Sequence, residues 1–204
     1  MRLEVPGADF PKKMKIGVLA LQGAFVEHCR AVQGLGAEAV VVRLPGHLHG
    51  LDGLIIPGGE STTISRLMAE YGLLQPLKDL AKQGLPILGT CAGMILMAKS
   101  VPDFTLQTLG LMDIAVRRNA FGSQEDSFEA DLEMPALGQT AFHAVFIRAP
   151  VIEAADSTVE ILARLPDGAA VAARQGSLLA VAFHPELTAD SRLHRYLLDI
   201  VRSR

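Results

Sequence analysis

Residues 86–97 read Pro-Ile-Leu-Gly-Thr-Cys-Ala-Gly-Met-Ile-Leu-Met, and the fold is read from how this stretch must bend. Pro86–Gly89 is an apolar run of strand length, and Ala92–Lys99 carries a helical pattern. Gly89-Thr90-Cys91-Ala92-Gly93 lies at the junction. A strand delivering straight into a helix, with small residues on both sides of one cysteine, has the form of a nucleophile elbow. The turn lifts the side chain clear of the sheet, and the small neighbours let the backbone bend and a substrate approach. A helix N-terminus also favours a thiolate over a thiol. The alternative is a buried structural cysteine at a strand end.

Working outward, strand and helix patterns alternate. Ile16–Leu21 and Glu38–Arg43 read as strands around a helix at Gly23–Gln33, on which Phe25, Cys29 and Val32 fall at helical spacing. Gly53–Pro57 is a third strand, followed by helical patterns at Thr62–Ala69 and Leu74–Gln83. After Pro102 the texture turns β-rich, with strands at 110–117, 127–132, 142–148, 159–165, 169–174 and 178–184. Thr188–Arg204 closes the chain as a helix with an apolar stripe of Leu193, Tyr196, Leu197, Ile200 and Val201, and Thr188 or Asp190 could cap its start. This order predicts one doubly wound α/β domain over residues 14–204, with a mostly parallel sheet and added antiparallel strands. Residues 1–13 read as a leader whose order the sequence leaves open, with Met14 as an alternative start.

Composition removes whole classes of function. The 204 residues are 50% hydrophobic and 20% charged, with 22 acidic against 19 basic residues and no tryptophan. There is neither the basic footprint nor the aromatic platform of a nucleic-acid binder. The longest uncharged stretch, 83–98, is short and broken by glycine and proline, so no membrane span is expected. Cys29 and Cys91 are too few for a disulfide framework, and neither has partners at zinc-ligand spacing. A cytoplasmic protein without metal or cofactor is expected.

Two further strand ends carry chemistry. Leu178–Phe183 runs into His184-Pro185-Glu186. Pro185 favours an extended conformation at His184, and residues two apart in an extended segment point the same way, so Glu186 could orient the imidazole. A cysteine, a histidine and a carboxylate form the general pattern of an activated thiol. At the third strand end, Pro57-Gly58-Gly59-Glu60-Ser61-Thr62 offers consecutive glycines that can turn an N–H toward a developing oxyanion. Ser61 or Thr62 could equally serve as a helix cap there. Other features are discounted. Gly34–Ala39 imitates a dinucleotide fingerprint in the wrong structural order and reads as a helix C-cap. His47 and His49 lie in a loop, Met94 and Met97 suit a core, and Asp126, Glu129, Asp131 and Glu133 suit a wet strand face.

Three strand-end signals in the order Gly-Gly, Cys, His-x-Glu resemble the class I, triad-type glutamine amidotransferases. Ala20–Gly23, Pro57–Thr62, Gly89–Gly93, Arg117–Gly122 with Gln124 and Asp126–Glu129, Phe146–Arg148 and His184–Glu186 narrow this to a resemblance to glutaminase subunits of pyridoxal 5′-phosphate synthases, covering residues 14–203. The leader departs from that family, whose chains begin near Met14. The resemblance implies a flavodoxin-like three-layer sandwich. It implies catalysis by Cys91, His184 and Glu186, with an oxyanion hole from the N–H groups of Gly59 and Ala92. Substrate-binding positions map onto Gly59, Glu60, Ser61, Arg118, Ile147 and Arg148, and either arginine could match the α-carboxylate of L-glutamine. It also implies a (β/α)₈-barrel synthase partner that consumes the ammonia, since 204 residues hold one such fold, with Gln22 and Gly58 near the partner surface. The rivals are a glutaminase serving another synthase, such as imidazole glycerol phosphate synthase, a stand-alone cysteine hydrolase, and an assembly subunit with a vestigial site.

Overall fold

A computed structural model of the chain describes residues 13–102, 104–120 and 127–204. Residues 1–12 of the leader, and Phe121, Gly122, Gln124 and Asp126 of the motif after Arg118, lie outside the described residues.

The strands β1 (Lys15–Leu19), β2 (Glu38–Val42), β3 (Gly53–Ile56) and β4 (Ile87–Thr90) form the parallel part of the sheet, in the order β2-β1-β3-β4. The interior strands β3 and β4 are buried at every position. Near-continuous apolar runs such as Gly53–Ile56 are what a parallel strand covered on both faces requires. The helices α1 (Phe25–Gly34), α2 (Ser61–Glu70), α3 (Leu74–Lys82) and α4 (Ala92–Met97) alternate with these strands. The connection from β1 through α1 to β2 steps one way along the sheet, and that from β3 to β4 steps the other way. Right-handed crossovers therefore put α1 and α2 on opposite faces and leave a crevice where the direction reverses, between β1 and β3.

Beyond β4 the chain adds β5 (Ala98–Ser100), β6 (Met112–Arg117), β7 (Ser127–Leu132), β8 (Phe142–Ile147), β9 (Val151–Ala155), β10 (Glu160–Arg164), β11 (Ala170–Gln175) and β12 (Leu178–Val181), and ends in α5 (Arg192–Arg202). β12 pairs parallel with β4, and β11, β9 and β6 extend the sheet antiparallel, with β5 at its edge and β10 on β11. The expected α/β architecture is present, with parallel strands at the centre and antiparallel strands to one side. β7 and β8 form a separate hairpin. Stacked Phe128 and Phe146 (4.5 Å between centroids) and the edge contact of Phe146 on Phe183 (5.6 Å) hold it against the end of β12.

Several boundaries differ from expectation. The helix after Cys91 stops at Met97, because Ala98–Ser100 is recruited to pair with β6. The last helix begins at Arg192 and not at Thr188. Pro185–Leu187 form a separate short turn, and Asp190 accepts the Arg192 N–H. The cap of α2 is Glu60, whose carboxylate accepts the Thr62 N–H, in place of Ser61 or Thr62. β9 carries no strand signal of its own in Pro-Val-Ile-Glu-Ala-Ala; its pairing with β6 and β11 creates it. As expected, α1 ends in a cap with Gly36 at φ +84°. Among the described residues no helix is long and apolar enough to cross a membrane.

Candidate active site

Cys91, His184 and Gly58 converge at the carboxyl ends of β4, β12 and β3, adjacent strands of the parallel sheet. Cys91 begins α4 at φ 48°, ψ −105°, a conformation costly for a residue with a side chain, and its N–H is anchored on the Val181 carbonyl at 2.8 Å. Contact explains the flanking glycines. A Cβ on Gly93 would stand 1.9 Å from the Ile56 carbonyl oxygen, and one on Gly89 would stand 2.6 Å from Met97 Sδ. Only glycine lets α4 lie that close to β3.

His184 donates its backbone N–H to Val145 of β8 (2.8 Å), and its Nδ1 is 2.7 Å from Glu186 Oε1. Glu186 is enclosed, its side chain having no exposed surface. Burial alone would push His184 down and Glu186 up. Hydrogen bonds and charge from Cys91 and Glu186 instead raise His184 to about 10, and the adjoining His184 and His28 rings lower Glu186 to about 2. An imidazolium held between a carboxylate and the cysteine sulfur is the resting charge distribution this predicts.

In front of this pair lies a cavity of about 200 Å³ whose lining includes Gln22, Gly59, Glu60, Ser61, Cys91, Ala92, Arg118, Ile147, Arg148 and His184. The structure thus brings together every sequence-predicted site residue except Glu186, which stands behind His184, and Gly58, which lies beneath it. Gly58 is buried, and a Cβ there would be 2.5 Å from His184 Cε1; Gly59 and Gln22 are exposed. Gln22 Oε1 accepts the Glu60 N–H at 2.7 Å, fastening the β1 loop to the Gly-Gly segment. The Gly58 carbonyl accepts the Ala24 N–H (3.4 Å). In a trans peptide the Gly59 N–H then points the opposite way. Cys91 Sγ is 3.8 Å from the Ile147 carbonyl oxygen. Arg118 reaches Glu60 Oε1 at 3.1 Å and packs 4.2 Å from the Phe104 ring centroid. The Ser61 hydroxyl is buried and makes no hydrogen bond to the described residues.

Cys91, Asn119 and Arg148 are the non-glycine residues at positive φ among the described residues, and all three line this cavity. Such backbone conformations persist only where surrounding structure enforces them, and they gather at functional sites. Asn119 escapes a sequence reading, although asparagine's tolerance of the left-handed region is a faint signal. His28 and His194 also escape it. His28 lies three residues after Phe25 and four before Val32, on the buried side of α1, and His194 lies three before Leu197 on α5. Their periodicity shows burial but says nothing of what they touch. Among the described residues no group of three or more His, Cys, Asp or Glu side chains is placed to hold a metal ion.

Known proteins resemble this chain along most of its length. A family model described as the SNO glutamine amidotransferase family matches residues 18–203. The chain is 57% identical over 190 residues to a Herpetosiphon aurantiacus protein named pyridoxal 5′-phosphate synthase subunit PdxT, covering 92% of this chain and 100% of that protein. It is 59% identical over 191 residues to a Dehalococcoides mccartyi protein of the same name, covering 93% and 98%. A solved structure described as a glutamine amidotransferase superposes with a TM-score of 0.86 at 51% identity, over 92% of this chain and 98% of that one. A chain from a structure of PurLQS of Thermotoga maritima, at 16% identity and TM-score 0.68 over 92% and 98%, shares the fold.

Proposed function

The chain belongs to the SNO glutamine amidotransferase family, and from that premise we propose that it hydrolyses L-glutamine and supplies the ammonia for pyridoxal 5′-phosphate synthesis by a partner synthase. The single observation that carries the chemistry is the placement of Cys91, at the enforced turn of the elbow, beside a His184 whose other ring nitrogen is 2.7 Å from buried Glu186.

The Cys91 thiolate attacks the side-chain carbonyl carbon of glutamine, and the tetrahedral oxyanion is held by the N–H groups of Gly59 and Ala92. His184 passes its proton to the departing nitrogen. The C–N bond breaks, ammonia leaves, and a glutamyl thioester remains on Cys91. His184, now neutral, takes a proton from water as that water attacks the thioester; glutamate leaves, and the thiolate–imidazolium pair is restored. Glu186 keeps the imidazole oriented and offsets its charge throughout. Arg118 and Arg148 are the cavity cations suited to the amino acid's α-carboxylate, with Glu60 and Ser61 beside them.

The word subunit in the names of the relatives supports a partner chain. We assign that role to a (β/α)₈-barrel synthase subunit, docked beside Gln22 and the exposed Gly59 at the oxyanion segment, in place of the expected Gly58, which is buried against His184. The experiment measures glutamate release from L-glutamine by the full chain, with and without the synthase subunit, beside Cys91→Ala. Release that rises with the synthase and vanishes in Cys91→Ala is the expected result. Undiminished turnover by Cys91→Ala would remove the catalytic assignment, and equal activity on γ-glutamyl peptides without synthase would favour a stand-alone hydrolase.

A further inference from the structure

The acid of the triad has a second partner. Glu186 Oε1 is taken by His184, and Oε2 lies 3.2 Å from Nε2 of His28, a fully buried residue of α1. The same Nε2 is 3.2 Å from the Thr90 hydroxyl oxygen, which in turn accepts the Gly58 N–H at 3.0 Å. On its other side, His28 Nδ1 is 2.9 Å from Nε2 of His194 on α5. One imidazole thus touches the carboxylate behind the catalytic histidine, the residue before the nucleophile, and, through that residue's hydroxyl, the Gly-Gly segment.

Hydrogen accounting sets the direction of these contacts. An ionised carboxylate only accepts, so the His28 nitrogen facing Glu186 must carry a hydrogen. That hydrogen is aimed at Thr90 Oγ1 and lies off-axis to Glu186 Oε2. Oε2 makes no directed hydrogen bond among the described residues, and His28 Nε2 meets it only as an off-axis polar contact at 3.2 Å. His194 backs the ring from behind. Burial, with His28 adding to it, lowers His194 to about 3, so it stands neutral and holds the ring without adding a further buried charge. A core that needed only filling would be satisfied more cheaply by apolar side chains than by two enclosed imidazoles against a carboxylate.

We infer that His28 is a positioning residue for the Cys91–His184–Glu186 triad, its Nε2 hydrogen directed at the Thr90–Gly58 link while the same nitrogen abuts Glu186 Oε2, so that both are held in one register. The acid end of the triad and the oxyanion segment, which arrive from opposite ends of the chain, are thereby set by one side chain. The inference rests on the glutaminase reading for its assay, but the geometry it concerns is that of the cysteine itself.

Two neutral, polar variants separate positioning from filling. In His28→Gln the side-chain amide nitrogen can occupy the place of Nε2 and keep a donor toward Glu186 and Thr90. In His28→Asn the amide reaches only the place of Nδ1, which keeps a partner for His194 and leaves no donor at position 28 facing Glu186 Oε2 and Thr90. Both are assayed as full chains with the synthase subunit, with kcat counted per Cys91 titrated by iodoacetamide. The expected result is a kcat roughly tenfold or more higher in His28→Gln than in His28→Asn, with KM for glutamine alike in the two. The rate of Cys91 alkylation, measured without glutamine, should fall in the same order. Equal kcat and equal alkylation rates in the two variants, or losses that follow their melting temperatures, would overturn the inference. If wild type released glutamate no faster than Cys91→Ala, the glutaminase reading would fall, and the alkylation rates alone would decide for or against positioning by His28.

Discussion

Gly93 lies so close beneath Ile56 that a methyl group on its Cα would sit 1.9 Å from the Ile56 carbonyl oxygen. That oxygen belongs to β3 and cannot swing aside as the end of a side chain could. Gly93→Ala must therefore push α4 off the sheet and carry Cys91 with it. The expected cost is about 3 kcal/mol or more, a fall in Tm of roughly 6–12 °C for a chain of this size. Gly34→Ala, at the end of α1 with nothing within 4 Å of the added methyl, should be neutral or slightly stabilising. Equal melting temperatures for the two variants would show that the elbow does not need this contact.

Cys91 adopts φ 48°, ψ −105°, a conformation that glycine enters far more readily than any residue with a Cβ. Both Cys91→Ala and Cys91→Gly remove the proposed nucleophile, but only the second relieves the backbone. Cys91→Gly should melt about 2–4 °C above Cys91→Ala, corresponding to about 1 kcal/mol of released strain. The reverse order, read by calorimetry, would mean that the turn is not strained.

The ion pair behind the cysteine sets a pH signature. His184 is raised from 6.5 to about 10. Its contribution is fully present below pH 6.5 and is lost as pH rises through about 10. Glu186 is lowered from 4.5 to about 2, so its contribution is present above pH 4.5 and is lost as pH falls through about 2. The pair stabilises most between about pH 4.5 and 6.5. The Tm gap between wild type and the double variant His184→Gln/Glu186→Gln should be largest there and narrow by several degrees toward pH 10. A gap that stays flat from pH 5 to 10 would contradict the charged pair.

Arg118 is held by Glu60 Oε1 at 3.1 Å and by the Phe104 ring, which aims its guanidinium across the cavity wall. Lysine keeps the charge but loses both the fork and the stacking face. Arg118→Lys should raise KM for glutamine roughly tenfold, with kcat changed much less. An unchanged KM would move recognition of the α-carboxylate to Arg148.

Most of the site is legible in the sequence because each part announces itself within a few residues. Gly89–Gly93 needs glycine for close packing, His184-Pro185-Glu186 puts an imidazole and a carboxylate two residues apart, although they meet across a short 3₁₀ turn opened by Pro185 and not along the extended segment expected, and Pro57–Thr62 ends a buried strand in two glycines. The misreadings are of another kind. Ala98–Ser100 looks like the tail of a helix until β6 pairs with it, and Val151–Ala155 becomes a strand only between β6 and β11. The Glu60 carboxylate that caps α2 through Thr62 is also held by Arg118, far along the chain, a contact that no four-residue window contains. Asn119 and Arg148 reach the cavity at positive φ, which local composition does not foretell for an arginine.

The amino-acid sequence by itself determined the alternation of strands and helices, the three strand ends that form the site, and the candidates for nucleophile, base and acid, because backbone sterics and hydrophobic period act over neighbouring residues. Only the tertiary structure decided that His28, Thr90 and His194, from three separate elements, meet behind Glu186. Contacts spanning up to 166 residues of chain depend on which faces of α1, β4 and α5 the packed sheet turns toward one another, and no local pattern encodes that.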